Sequence, residues 1–237
     1  MPTVQLEQVS QPQQERLAYI EFRLLFLGSI NRSHLVQRFG LKESAASRDL
    51  ALYRQLASTN ITYDTIDRTY RIGATVTPLF SYSPAQVLAA LSEGFGDDFV
   101  APPTSILPVA LPSRLNTPVV EVLAPVSRAL FNGNPLQIIY RSLSSGICHK
   151  TVIPTALVDN GLRWHVRAFD EGQLRYADFV LNRIEQAQVV DAVADVHQLK
   201  MHDQDWQQPL SLELVPHPAL EHPATIAYEY GMTDGVL

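Results

Sequence analysis

The chain has 237 residues, 46% of them hydrophobic and 18% charged, which excludes wholesale disorder and leaves room for two or three small domains. No apolar run approaches the roughly 20 residues of a membrane span. The polar start MPTVQLEQVSQPQQ carries no leader pattern, and the single cysteine, Cys148, excludes an intramolecular disulfide, so a cytoplasmic protein is expected. The net charge of −6 is unevenly spread: residues 1–80 hold nine Arg/Lys against seven Asp/Glu, whereas residues 185–237 hold Lys200 alone against nine acids. Any phosphate contact is therefore expected from the N-terminal third, because a local basic surface, not the whole-chain charge, neutralises phosphates.

In chain order, Leu17, Ile20, Leu24 and Leu27 recur at helical spacing and predict a helix over 13–27 closed by Gly28. A short helix over 33–39, capped by Asn31 or Ser33, follows, then a turn at Gly40. The next helix, 43–57, turns Ala46, Leu50, Tyr53 and Leu56 inward. Ile61, Tyr63 and Ile66, then Tyr70 and Ile72, read as a hairpin around Asp67–Arg68–Thr69. Three helices and a hairpin are the order of a winged helix-turn-helix. A helix over 84–93 comes next. Proline then recurs at 102, 103, 108, 112, 118, 125 and 135 and predicts a connecting region of short elements. Five strand-like runs occupy 135–190, with Asn160-Gly161 as a hairpin signal, and point to a small SH3- or Sm-like barrel. The stretch 191–237 is acidic and mixed, with a helix expected over ALEHPATIAYEYG. The fold class expected is α+β. The expected parts are a winged helix (1–75), a proline-rich helical linker (76–134), a ligand-sensing barrel (135–190) and a C-terminal segment (191–237).

With Ala46 and Leu50 inward, Ser44, Ala45, Ser47 and Arg48 point outward; small residues let a helix approach the groove floor, and Arg48 can reach guanine or phosphate. Arg32, Ser33, Arg54 and the hairpin-tip Arg68 suit phosphate contacts. FGLKESAASRDL resembles the recognition helix of DeoR-type winged helices, matched by Arg48, Asp49 and Leu50. Lys42 departs from the usual Ser/Thr cap, which moves the expected cap to Ser44.

Strand alternation puts Trp164, Val166 and Ala168 on one face, and His165, Arg167 and Phe169 on the other. His165 and Arg167, with Arg183 nearby and Tyr140, Ser142 and Phe179 adding a hydroxyl and aromatic faces, form a candidate site for a phosphate-bearing or nucleic-acid ligand. The competing reading pairs Arg167 and Arg183 with Asp170 and Asp178 on a solvated face. IIYRS (138–142), WHVRAFDE (164–171) and YADFVLNRI (176–184) resemble the WYL domain, with Trp164-His165-Val166 at the naming triplet. The run RWHVRAFDEGQLRYADFVLNRI, and the order of parts over essentially the whole chain, resemble the BrxR/CapW regulators of phage-defence islands. That resemblance implies the ligand pocket and repression of a phage-defence operon and of the regulator's own promoter; the function expected is a homodimer on an inverted-repeat operator, dimerising through the linker helices and an acidic C-terminal segment that is only partial here.

Cys148-His149, adjacent in the chain, cannot readily hydrogen-bond side to side. No nucleophile elbow, phosphate loop or zinc spacing occurs, so neither an enzyme, a cofactor nor a metal is expected. The alternative function is a single-stranded nucleic-acid sensor whose winged helix makes protein contacts.

Overall fold

The computed structural model describes residues 6, 9–93 and 117–233. The expected breakers Pro102, Pro103, Pro108 and Pro112 lie outside the described residues. Pro12 opens α1 (Gln11–Phe22), where its missing N–H costs nothing. The helix runs on without a break into a π-helical turn, Arg23–Leu27, and ends at Gly28. Leu17, Ile20 and Leu24 are buried as their spacing predicts, while Leu27 is only half-buried. A two-residue strand, β1 (Ser29–Ile30), follows; it is too short to leave a periodic trace.

Asn31 caps α2 (Arg32–Phe39): its side chain accepts from the His34 N–H, and His34 Nδ1 accepts from the Asn31 N–H at 3.1 Å. This is a reciprocal capping box. Gly40 then takes φ 64°, a left-handed turn that other residues adopt only at a cost. α3 (Glu43–Leu56) buries Ala46, Leu50 and Tyr53 completely. Its N-cap is Lys42, which offers no side-chain acceptor, so the cap expected at Ser44 is corrected: Ser44 lies inside the first turn.

The hairpin pairs β2 (Ile61–Asp64) with β3 (Thr69–Ile72), and β1 adds to β3, giving the sheet order β1-β3-β2. Ile66, expected on a strand, sits in the turn and is 90% exposed. The chain leaves the wing at Gly73, where a Cβ would fall 1.8 Å from the Thr59 carbonyl oxygen; only glycine allows this approach.

α4 (Pro84–Glu93) matches its expected range. The proline-rich region also contains α5 (Val120–Asn132), with Pro125 inside it. A proline there removes an intrahelical bond and costs about 3 kcal/mol. Burial of Val122, Leu123, Val126 and Ala129, at about 1.5–3 kcal/mol for each large aliphatic side chain, offsets it. The expectation of only short pieces here is corrected for that reason.

The strands β4 (Leu136–Ser142), β5 (Gly146–Asp159), β6 (Trp164–Asp170), β7 (Arg175–Val180) and β8 (Ile184–Val189) form an antiparallel sheet of order β7-β6-β5-β4-β8. These are the five strands expected of the SH3- or Sm-like barrel, in one sheet that no ladder closes among the described residues. A 3₁₀ turn, Leu181–Arg183, carries the chain from one edge strand to the other, but no ladder joins β7 to β8 among the described residues. A register shift at Pro154–Ala156 interrupts the long β5, where proline cannot donate to the ladder.

Two cores organise the described residues before Lys200, and α1 belongs to both. Leu17, Ile20 and Leu24 pack with Ile30, Leu35, Leu50 and Tyr53 of the winged helix. Phe22, Leu25 and Phe26 pack with Val87 and Leu88 of α4, with α5, and with the inner face of the five-stranded sheet. Three α5 side chains donate to successive carbonyls of the π turn: Arg128 Nη1 to Leu25 (2.5 Å), Ser127 Oγ to Phe26 (2.8 Å) and Asn132 Nδ2 to Leu27 (3.0 Å). These carbonyls end the helix and have no intrahelical partner.

Chain contacts separate a second unit, residues 200–237. α6 (Val196–His202) runs across the division. Within the unit, Asp203 caps α7 (Gln204–Gln207). Residues 209–215 run without regular structure, exposing Leu210, Leu212 and Leu214. The helix expected from Ala219 starts at Pro223 as α8 (Pro223–Glu229), because a proline holds its predecessor, His222, out of helical geometry.

Candidate nucleic-acid interface

α3 turns its buried side toward α1 and leaves Ser44, Arg48 and Arg54 exposed, with Ala45 and Ser47 half-buried at the margin. Arg48 Nε reaches only the Ser44 carbonyl, at 3.4 Å. Arg32 and Ser33 are exposed in the first turn of α2, where the Ser33 hydroxyl donates to Asn31 Oδ1 at 2.6 Å. Arg68 stands exposed at the wing tip with φ 52°. Arg32, Arg48, Arg54 and Arg68 form no ion pair among the described residues. Asp64 and Asp67 also lie at the tip, but Arg71 binds both, with Nε 3.0 Å from Asp64 Oδ2 and Nη2 in contact with Asp67. That arginine, helped by backbone N–H groups, holds the Asp64 carboxyl below the usual carboxylate range. The wing thus presents one uncommitted cation, with its acids already neutralised.

Sequence reasoning missed the residues that hold α3 in place. Asp49, the middle residue of Arg-Asp-Leu, is 2% exposed and faces α1, not solvent. It accepts from Arg16 Nε at 2.6 Å and from Gln13 Nε2 at 2.8 Å. A charge-assisted bond of this kind contributes about 1.5–3 kcal/mol and fixes the rotation of the helix that carries Arg48. The signal available was an Arg and a Gln on the first helix facing an acid next to a core leucine.

The five-stranded sheet divides the six expected ligand residues between its two faces. Val166 and Ala168 are fully buried on the inner face, as alternation predicts. Phe179 pairs with Val166 in register and therefore shares that inner face. Tyr140 packs edge-on against Phe179 with ring centroids 5.2 Å apart, and its hydroxyl accepts from the Val180 N–H. Both rings belong to the core, not to a surface with Arg167. On the outer face, Arg167 Nη1 lies 3.2 Å from Asp178 Oδ2, and its guanidinium stands 5.8 Å from the Tyr176 ring centroid. His165 is half-buried two residues before it. Arg183 follows in the 3₁₀ turn, three residues after Val180, the cross-strand partner of His165. Ser142 Oγ is spent on the β4–β5 turn, accepting from the Ser144 and Ser145 N–H groups.

Of the competing ion pairs, Arg167–Asp178 is present, whereas Asp170 binds Lys150 Nζ at 2.6 Å. Cys148 and His149 lie in β5 and face opposite sides. The Trp164 indole N–H is buried without an acceptor among the described residues. A separate groove of about 850 Å³ lies between the start of α5 and β4, β5 and β8, lined by Glu121, Gln137, His149, Lys150, Glu185 and Gln188 among others, and by none of the six.

Comparison with known proteins gives these sites a context. The BrxR transcriptional regulator winged helix-turn-helix domain matches residues 12–92, and the WYL domain matches residues 121–189. A DNA-binding transcriptional repressor CapW of Stenotrophomonas maltophilia is 34% identical over 233 residues, covering 94% of this chain and 77% of that protein. A CapW of Escherichia coli is 33% identical over 235 residues, covering 94% and 76%. A third, of Pseudomonas aeruginosa, is 33% identical over 224 residues, covering 88% and 71%. The chain therefore spans about three quarters of the length of these relatives. Among solved structures, proteasome accessory factor B/C of Arthrobacter aurescens aligns with 96% of this chain and 41% of its own at 15% identity and a TM-score of 0.31, a likeness that carries no argument. No described helix is long and apolar enough to cross a membrane. With a BrxR-type winged helix at its start, a WYL domain behind it and relatives aligned over nearly its whole length, the chain belongs to the CapW family of DNA-binding transcriptional repressors.

Proposed function

We propose that this chain represses transcription in the cytoplasm as a homodimer on an inverted-repeat operator, controlling a phage-defence operon and its own promoter. Its DNA affinity would be shifted by a nucleotide or nucleic acid at the WYL domain. The observation that carries the DNA half is a recognition helix fixed from behind by Asp49 while Arg48 and Arg54 stand exposed and uncommitted in front. Arg48 reads base edges or a phosphate; Arg32, Ser33, Arg54 and Arg68 hold the backbone, with Ser44, Ala45 and Ser47 allowing close approach.

Support for the effector half comes from the sheet: His165 and the largely buried Arg167 on the outer face of β6, Arg183 in the 3₁₀ turn, and the unmet Trp164 N–H beside His165 in sequence. Binding at Arg167 must displace Asp178, and Tyr140 and Phe179, on the opposite face, take no direct part. To act as a switch, the effector must bind the DNA-free arrangement better than the DNA-bound one.

Gel shift and footprinting on the region upstream of the gene test the reading. Arg48→Ala is expected to weaken operator binding by about 1–3 kcal/mol, roughly five- to 150-fold. Unchanged affinity removes Arg48 from the interface. Added oligonucleotides or nucleotides are expected to release the DNA, and Arg167→Ala to abolish that release.

A further inference from the structure

A single carboxylate joins the recognition helix to the segment behind it. Glu21 of α1 is 1% exposed, and no cation pairs with it among the described residues. It accepts four hydrogen bonds instead: from the Tyr53 hydroxyl (2.8 Å), the Leu79 N–H (2.8 Å), the Phe80 N–H (3.0 Å) and the Tyr82 hydroxyl (3.0 Å). Tyr53 belongs to α3, the helix that carries Arg48. Leu79, Phe80 and Tyr82 belong to the strap between the wing and α4, and Val87 and Leu88 of α4 lie in the core shared with α5 and the five-stranded sheet. Asn60 braces the same junction, donating to the Tyr53 hydroxyl at 3.2 Å and to the Thr77 carbonyl at 2.8 Å, and accepting from the Thr77 N–H at 2.9 Å.

Packing alone does not call for a carboxylate here. An acid buried without a counter-ion is costly, and an apolar side chain of similar size would fill the space without that cost. What the carboxylate adds is direction: four donors from two elements must converge on two oxygens. We infer that Glu21 is a positioning residue, coupling the strap to the recognition helix so that a displacement of α4 re-aims the DNA-facing side chains through Tyr53. The inference rests on the DNA-binding reading and is independent of the effector.

Hydrogen exchange at the Leu79 and Phe80 amides, followed in the full chain with and without the upstream duplex, tests it. Neither amide belongs to a proposed DNA-facing residue and both are bonded to the buried Glu21, yet DNA is expected to slow their exchange by at least about threefold, because fixing α3 fixes Tyr53 and hence Glu21. Tyr53→Phe keeps the ring and removes only the hydroxyl. It is expected to lose that DNA-dependent slowing while the Leu17 and Ile20 amides keep their wild-type protection, and Glu21→Gln is expected to do the same. A wild-type protein that binds the duplex without slowing at Leu79 and Phe80 overturns the inference alone, as does a Tyr53→Phe protein that retains the slowing. A wild-type protein that binds no duplex overturns the DNA-binding reading and the inference with it.

Discussion

His34 shows how one side chain makes the helix-turn-helix sensitive to pH. Its Nδ1 accepts the Asn31 N–H, so the ring must be unprotonated there for the cap to be complete. Burial first, and the nearby Arg23 charge second, lower its pKa from the ordinary 6.5. A histidine whose folded value is depressed contributes stability above the unfolded value and loses it as pH falls through the folded one. The urea midpoint is therefore expected to drop between pH 7 and about pH 5.5, and to drop less in His34→Gln, which keeps a capping-box acceptor. Parallel midpoints in the two proteins would exclude His34 as the source. The cap itself was legible, because Asn31 precedes a helical run. Its partner was not, because capping boxes are sought with Glu or Gln in the third position. Glu21 acts in the opposite sense. Burial raises its pKa, so stability falls as pH rises from its ordinary 4.5 toward the raised value, and Tyr53 and Tyr82 are the titratable groups facing it. Glu21→Gln is expected to flatten that slope in the same urea series.

At the scale of elements, periodicity found the helices of the winged helix and α4 but missed the joint between the two cores. The spacing of Leu17 and Ile20 is served by α1, but continuing to Leu24 it does not distinguish an α-helical end from the π turn that holds Leu24. α5 escaped reading because Pro125 marks a break by rule, whereas burial overrides the rule here. The two meet where Arg128 donates to the Leu25 carbonyl, in a setting whose burial lowers the Arg128 pKa. Arg128→Met keeps much of the volume and removes the donor. It is expected to cost about 1–3 kcal/mol in urea unfolding, and an unchanged midpoint would show that the carbonyl is satisfied without it. In the sheet, alternation assigned the faces of β6 correctly. It could not place Phe179 beside Val166, because that depends on cross-strand register, which a single sequence does not fix.

Over the whole molecule, the winged helix and the WYL domain are two family matches built on one framework. Phe22, Leu25 and Phe26 enter the core of the sheet while Leu17, Ile20 and Leu24 fill that of the winged helix. Leu123→Ala, deep in the shared core, is expected to cost about 2–5 kcal/mol. In a Trp206→Phe background, which leaves Trp164 as the only tryptophan, sheet fluorescence and helical circular dichroism are expected to shift their midpoints together. Separate midpoints would make the two parts independent folding units. This sharing was not legible in the sequence, since a helix with two buried stripes reads there as a helix with one. It also bears on how such regulators diversify. Recombination between the wing and α5 would hand a new sensor a first helix with three unmatched aromatic and aliphatic side chains and three uncapped carbonyls. Exchange of sensing modules, in evolution or in the design of chimeric repressors, is therefore expected to succeed only when the π turn and α5 travel together.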